Sequence, residues 1–194
     1  MGKKYKLTNE IIEFCDTKLY RIEALKDFSD IKKGDKGGFI ESENNLSHNG
    51  NCWIYDDAKV CDEAKVYGNA KVYNKAKVFN SAKIYGNAKV YGFAELYDNT
   101  EISGHAEVYE YGELSDSAKV YGNAKVYEYA AVRDKALVYG KAEIYGLANI
   151  YGNANVFGNA RVYDNAKVYG NTVVSGNAEV CGLMKVSGSM RVKL

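Results

Sequence analysis

The sequence predicts an all-β protein: a single-stranded parallel β-helix, or β-solenoid, built from triangular coils. An aliphatic residue recurs at every sixth position from Ile54 to Val192, in 24 consecutive units with no insertion or deletion. A fixed short period over most of a chain is typical of a solenoid. Residue types also correlate at a spacing of 18, which predicts three hexapeptides to a coil and three unlike faces. Glycine, for example, lies two positions after the aliphatic residue in every third unit, at Gly68, Gly86, Gly104, Gly122, Gly140, Gly158 and Gly176.

Within one unit, side-chain alternation separates an inner from an outer set of residues. The consensus is Ala-Lys-Val-Tyr-Gly-Asn, as in residues 64–69. Along an extended segment, the aliphatic residue and the residue two before it point to the same side. That second residue is Ala in 18 of the 24 units, so we expect a narrow interior. The Lys or Glu residue between them and the aromatic residue that follows the aliphatic one face outward, and the Gly, Asn and Asp residues form the turns.

The solenoid is predicted to span residues 51–194, preceded by a small N-terminal capping segment over residues 1–50. Twenty-four units, three to a coil, make about eight coils, which at roughly 4.8 Å each give a rod about 38 Å long. Residues 9–14 are compatible with a helical turn or a strand, and residues 19–25 with a strand. Lys33 to Gly38 has the composition of a turn. A capping role is expected because the first coil of a solenoid otherwise exposes a strand edge and its core.

The repeat resembles that of hexapeptide-repeat proteins, in which an aliphatic residue follows a small residue two positions earlier. A closer resemblance is to YdcK-like proteins of bacteria and their phages. It is carried by residues 33–47 (KGDKGGFIESENNLS), by residues 53–58 (WIYDDA) and by the AKVYGN units. This resemblance implies a left-handed β-solenoid and a possible association with phage.

Composition excludes several classes of partner. The chain has 26 Lys plus Arg against 25 Asp plus Glu, so no bulk charge favours nucleic acid or an anionic membrane. No apolar run approaches the length of a membrane span, and the N-terminus lacks a signal peptide. The four cysteines form no CxxC pair, which favours free thiols in a reducing compartment. We therefore expect a soluble cytoplasmic protein.

Catalytic chemistry finds little support in the sequence. The hexapeptide-repeat resemblance raises an acyltransferase as the alternative, because many of those enzymes use a histidine at a subunit interface. His48 precedes the regular units and His105 occupies a turn position, and no loop between coils provides a pocket for either. The carboxylate pairs Asp56–Asp57 and Asp62–Glu63 are interpreted as solvated turn residues rather than a metal site. We therefore predict no catalytic residue, metal or cofactor, and favour a protein that is not an enzyme.

Two surface features point to binding instead. One corner carries apolar residues where other units have polar ones, at Phe93, Tyr111, Tyr129 and Leu147. The adjoining face carries a row of tyrosines, including Tyr91, Tyr109, Tyr127 and Tyr145. Contiguous exposed apolar surface marks interaction sites, and aromatic residues are favoured anchors in them. Both sets are predicted to contact a partner, although ring stacking between coils could instead serve stability alone.

The last coils carry a third set of candidates. Met184 and Met190 replace the small interior residue, and Leu183 lies at the same corner as the aromatic residues. Large side chains here could plug the interior or dock end to end on a second copy. We predict self-association through these three residues and a homo-oligomer.

The preferred hypothesis is a non-catalytic binding or scaffold protein with a protein partner of unknown identity. The alternative is a hexapeptide-type acyltransferase acting at a subunit interface. A third class, a binder of ice or carbohydrate surfaces, is disfavoured because the repeat holds only Thr100 and Thr172 instead of threonine arrays.

Overall fold

A computed structural model describes residues 2–193 and shows a parallel β-solenoid preceded by a β-hairpin. Strand β1 spans Tyr5–Phe14, β2 Thr17–Ala24 and β3 Lys36–Ile40, and a short 3₁₀ helix spans Glu43–Asn45. The chain then folds into short strands that stack in three parallel sheets, one for each face of the coil.

The three sheets are named here by their neighbouring features. The tyrosine sheet contains Trp53–Ile54, Lys71–Val72, Lys89–Val90, Glu107–Val108, Lys125–Val126, Glu143–Ile144, Arg161–Val162 and Glu179–Val180. The cap sheet contains β1 to β3 followed by Lys59–Val60, Lys77–Val78, Glu95–Leu96, Glu113–Leu114, Ala131–Val132, Asn149–Ile150, Lys167–Val168 and Lys185–Val186. The glycine sheet contains Lys65–Val66, Lys83–Ile84, Glu101–Ile102, Lys119–Val120, Leu137–Val138, Asn155–Val156, Val173–Ser175 and Arg191–Lys193.

The register of the sheets confirms three hexapeptides to a coil. Val90 pairs with Val108 and Val108 with Val126, so stacked residues are 18 apart along the chain. Each coil repeats the pattern because its outer N–H groups donate to carbonyls of the next coil, as Tyr91 does to Val108 at 3.0 Å. The left hand of the coil stays a prediction from the resemblance.

Parallel stacking begins earlier than residue 51, inside the segment assigned to the cap. Ile40 pairs with Val60 and Leu46 with Val66, at a spacing of 20 residues instead of 18. The two extra residues lie between Leu46 and Ile54 and conceal the period in the sequence. The cap sheet has 11 strands, and two of them form the hairpin. The remaining nine strands are parallel, so the solenoid has about nine turns instead of the predicted eight.

The interior is as narrow as the alanines predict. The aliphatic residues and the alanines two before them are fully buried along the middle coils and form one continuous core. Trp53 belongs to the same buried cluster and makes edge contacts with Tyr5 and Phe28.

The hairpin covers a second, smaller apolar cluster on the outside of the first coils. Leu19, Phe39 and Cys61 are buried there, with Phe14 and Phe79 packed against them. Cys61 comes directly after the inward-facing Val60 and thus faces outward from its coil, where β2 and β3 bury its thiol. Residues 9–14 form part of a strand, β1, instead of a helical turn.

The turn after each aliphatic residue requires the left-handed backbone region. Gly68 has φ +71°, and a Cβ atom added there would come within 3.1 Å of the Gly86 nitrogen in the next coil. Close stacking and positive φ together explain why glycine fills this column.

At the C-terminal end, the large side chains are partly open to solvent. Met184 and Met190 are about half exposed, and Leu183 is 83% exposed. Docking of this end on a second copy stays a prediction.

Candidate interaction surface

The structure brings the four predicted corner residues together in one exposed stripe. Phe93, Tyr111, Tyr129 and Leu147, called here the aromatic corner, lie on four successive coils, each between 48% and 60% exposed. The rings stack in parallel, with centroids 5.1 Å apart for Phe93 and Tyr111 and 4.8 Å apart for Tyr111 and Tyr129. The result is a flat, rigid apolar surface that is open to solvent.

The turns that present the aromatic corner hold two residues in an unusual backbone conformation. Glu110 has φ 55° and Glu128 has φ 56°, a region that Gly, Asn and Asp occupy at most other turns of the chain. Glutamate pays a steric cost there of roughly 1–2 kcal/mol. Each carboxylate accepts a hydrogen bond from a backbone N–H of the next coil. The Glu110 carboxylate accepts from the Glu128 N–H at 3.0 Å, and the Glu128 carboxylate accepts from the Gly146 N–H at 2.9 Å.

The surroundings of the aromatic corner are acidic. Glu95 and Glu113 follow the corner on the other side and are paired with Lys77 at 2.7 Å and with Arg133 at 3.2 Å. Among residues 2–193, no cation pairs with Glu110 or Glu128. Lys75 places its ammonium 5.6 Å from the centre of the Phe93 ring, so the chain itself shows that a cation can sit on these rings.

The predicted tyrosine row is a stacked ladder that is only partly exposed. Centroids are 4.8 Å apart for Tyr91 and Tyr109, 4.8 Å for Tyr109 and Tyr127, and 5.1 Å for Tyr127 and Tyr145. Burial between neighbours raises the pKa of the Tyr109 phenol to about 12. The ladder continues to Tyr163 at 4.9 Å. Most of each ring is covered by its neighbours, so the row offers less free surface than the aromatic corner.

A cleft that the sequence did not reveal interrupts this row. Tyr73 and Tyr91 do not stack but meet at 86°, with centroids 6.3 Å apart. An open cleft of about 300 Å³ lies beside them, lined also by Asn74, Lys89 and Glu107. A sequence pattern cannot show this feature, because the cleft depends on a change of ring orientation within an unbroken column of tyrosines.

The two histidines have structural partners. The His48 ring stacks on Tyr5 at 4.3 Å, and its Nδ1 accepts the backbone N–H of Lys4 at 3.2 Å. His105 lies in a turn with its Nε2 3.3 Å from Nδ2 of Asn87. The Oδ1 atom of Asn87 accepts a hydrogen bond from Nδ2 of Asn69 at 3.1 Å. His48 belongs to the N-terminal segment, as expected, and His105 replaces an asparagine in a ladder of turn residues.

The carboxylates of the first turns are also engaged. Asp56 accepts the backbone N–H of Asn74 at 2.8 Å, and Asp62 accepts that of Asn80 at 2.8 Å. Over residues 2–193, no three His, Cys, Asp or Glu side chains converge in a way that could hold a metal ion. Nor does that part of the chain contain a helix long and apolar enough to cross a membrane.

Comparison with known proteins agrees with the repeat. The family described as "YdcK Beta solenoid repeat" matches residues 160–176. A protein of Escherichia coli (strain K12) described as "Uncharacterized acetyltransferase YdcK" is 39% identical over 62 residues, which cover 28% of this chain and 19% of the relative. The matched stretch thus spans about a fifth of that relative's length. With the parallel coils described above, these similarities support a YdcK-like repeat β-solenoid protein.

Proposed function

We propose that this β-solenoid is a non-catalytic binding or scaffold protein that contacts a protein partner through the aromatic corner. The exposed stack of Phe93, Tyr111 and Tyr129 beside Leu147 is the observation that carries the proposal. Among the described residues, other large apolar side chains on the middle coils are better covered by their neighbours, with Tyr67 exposed only to 37%.

The rigidity of the aromatic corner favours binding. Its side chains are held by stacking on a backbone that is hydrogen-bonded from coil to coil, so little side-chain freedom remains to be lost on association. Aromatic anchors of this kind contribute most of the energy in many interfaces. The neighbouring rings Tyr91, Tyr109, Tyr127 and Tyr145 would then form the margin of the interface, where their exposed edges lie.

The charges around the aromatic corner suggest a basic partner. Glu110 and Glu128 flank the rings without a side-chain cation of their own, and a partner's Arg or Lys could pair with them while resting on Tyr111 or Tyr129. Two copies meeting corner to corner would instead place these carboxylates near one another. Self-association is therefore proposed elsewhere, end to end through Leu183, Met184 and Met190, whose exposed side chains support it. An association with phage rests on the resemblance to YdcK-like proteins alone.

A defined probe can test this surface. We expect a short peptide of alternating Arg and Leu to bind the chain in a fluorescence anisotropy titration, and an equivalent Glu and Leu peptide to bind about tenfold more weakly or not at all. The double variant Tyr111→Ser with Tyr129→Ser should weaken binding of the basic peptide about tenfold. So should Glu110→Asn with Glu128→Asn, because asparagine tolerates the positive φ while removing the charge.

A matched control is provided by Tyr121 and Tyr139, which stack at 4.8 Å on the face of the glycine sheet. Their double serine variant should leave the affinity within about twofold. Equal loss of binding in the control and corner variants would contradict the proposal. Light scattering on the same samples would report whether the chain forms an oligomer and whether Leu183→Ser with Met190→Ser reduces its mass.

The second candidate is an acyltransferase, which is favoured by the resemblance to hexapeptide-repeat proteins and by the name of the E. coli relative. In this chain the role would fall to His105, the more exposed of the two histidines, at a cleft formed between subunits. Calorimetric titration with acetyl-CoA tests it. Binding that His105→Ala abolishes in a trimeric protein would favour the enzyme, whereas absence of binding would leave the scaffold as the better account.

A further inference from the structure

On one side of the break, the tyrosine row is hydrogen-bonded to the N-terminal segment. The Tyr55 hydroxyl donates to the Asp30 carboxylate at 2.9 Å, and the Lys71 ammonium donates to the same group at 2.8 Å. The hydrogen bond from Lys71 lowers the pKa of Asp30 to about 2, so its carboxylate is charged at neutral pH. Tyr73 stacks on Tyr55 with centroids 4.6 Å apart and thus follows its orientation.

Beyond the break, the rings are held in a different orientation. The Tyr91 hydroxyl donates to Glu107 at 3.1 Å, and Tyr91 stacks on Tyr109 with ring planes 3° apart. Tyr127 has a parallel ring on both faces, but Tyr91 has one only on the side of Tyr109. Its other face looks toward the cleft, where the ring of Tyr73 stands at 86°.

We propose that this cleft binds a planar aromatic ring, which packs against Tyr73 and Tyr91 where the ladder of parallel rings is interrupted. The cleft is open to solvent, and its volume of about 300 Å³ suits one ring with a short substituent. Stacked or edge-on contacts with both tyrosines are favourable for such a ring.

The polar groups at the rim narrow the choice of ligand. Lys89 and Glu107 form an ion pair at 3.3 Å and offer a donor and an acceptor with no net charge. An uncharged ring with a hydroxyl or amide substituent matches that pair better than a charged one does. The ring could belong to a free compound or to a tyrosine side chain of a partner, and the recognition chemistry is the same.

This site is separate from the aromatic corner. Of its five lining residues, Tyr73 and Tyr91 belong to the tyrosine row, and none belongs to the corner. The proposed scaffold function can therefore fail while ring binding in the cleft stands, and the reverse also holds.

The test is a ligand-observed NMR titration of the full chain with p-cresol, with cyclohexanol as a non-planar probe of similar size. We expect p-cresol to bind in the millimolar range, on the order of 1–10 mM, and cyclohexanol at least about tenfold more weakly. N-acetyl-tyrosinamide distinguishes the two sources of the ring. Binding of both aromatic probes fits a partner's tyrosine, and binding of p-cresol alone fits a free compound.

Variants locate the binding. Tyr91→Leu should lose p-cresol binding, Tyr91→Phe should retain it within about threefold, and Tyr145→Leu, in the same row, should leave it unchanged. Asp30→Asn changes no lining residue, but it should release Tyr55 and Tyr73 to stack on Tyr91 and thus weaken binding about tenfold. Equal binding of cyclohexanol, or unchanged binding by Tyr91→Leu, would overturn the proposal. Unchanged binding by Asp30→Asn would overturn the part assigned to the N-terminal segment.

Discussion

Two serine substitutions separate tyrosines that stabilise the rod from tyrosines that are free to bind. Tyr127 belongs to the tyrosine row and Tyr129 to the aromatic corner of the same coil. Serine occurs at both kinds of position elsewhere in the chain, at Ser115 and Ser117, so neither substitution conflicts with the backbone. We expect Tyr127→Ser to lower the free energy of unfolding more than Tyr129→Ser does.

The structure gives the size of the difference. Tyr127 stacks on Tyr109 at 4.8 Å and on Tyr145 at 5.1 Å, and two aromatic pairs at about 0.5–1.5 kcal/mol each amount to about 1–3 kcal/mol. Loss of its partly buried ring area adds to that. Tyr129 stacks on Tyr111 alone among rings and is 60% exposed, so its loss should cost about 0.5–1 kcal/mol.

Equilibrium unfolding in urea, followed by far-UV circular dichroism, measures both variants against the parent chain. The midpoint of Tyr127→Ser should fall clearly below that of Tyr129→Ser, with similar dependence on urea because the buried surface is nearly unchanged. If Tyr129→Ser proved as destabilising as Tyr127→Ser, the aromatic corner would be a stability device. Its exposure would then no longer argue for binding.

Three further predictions concern the core, the N-terminal segment and the tyrosine row. Ala124→Met should lower the free energy of unfolding by about 1–3 kcal/mol, because it overpacks a fully buried site. Met184→Ala should lower it by at most about 1 kcal/mol, because that side chain is half exposed. Urea midpoints in the reverse order would contradict a narrow interior. Burial under the hairpin raises the pKa of the Cys61 thiol to about 12. Iodoacetamide at about pH 8 should therefore label the exposed Cys15 first and Cys61 only after denaturation, and mass spectrometry would measure the order of labelling. The pKa of Tyr109 is about 12 in the folded chain and about 10 in the unfolded chain, so its contribution to stability is present below about pH 10 and is lost as the pH rises through 12. The urea midpoint should therefore be lower at about pH 11 than at about pH 9. A higher midpoint at about pH 11 would refute the burial of this phenol.

The sequence predicts the repeating part of the fold well, because each of its constraints recurs. A one-residue slip would turn Val108 outward and Glu107 inward, so the hexapeptide period alone defines which residues stack and which face solvent. The aromatic corner is visible in the same way, since Phe93, Tyr111 and Tyr129 stand in a column that is polar in most other coils.

Features that occur only once in the structure cannot be predicted from a repeating sequence pattern. The first coil is hidden by two extra residues before Ile54. Lys4 is almost fully buried, and its ammonium donates to the Cys52 carbonyl at 2.8 Å, a partner that no residue pattern announces. Burial lowers the pKa of this lysine, and the carbonyl and thiol of Cys52 compensate part of the cost. The cleft at Tyr91 likewise depends on side-chain orientation, in a region where Asp30, from the loop before β3, accepts a hydrogen bond from Tyr55.

The most direct test of the scaffold proposal is a differential pull-down from a bacterial lysate. The immobilised parent chain, the Tyr111→Ser with Tyr129→Ser variant and the Tyr121→Ser with Tyr139→Ser control are compared by quantitative mass spectrometry. We predict one or more basic proteins that the parent and the control retain, that the corner variant loses, and that high salt elutes. The same protein profile on all three chains would contradict the central claim that the aromatic corner is the binding surface.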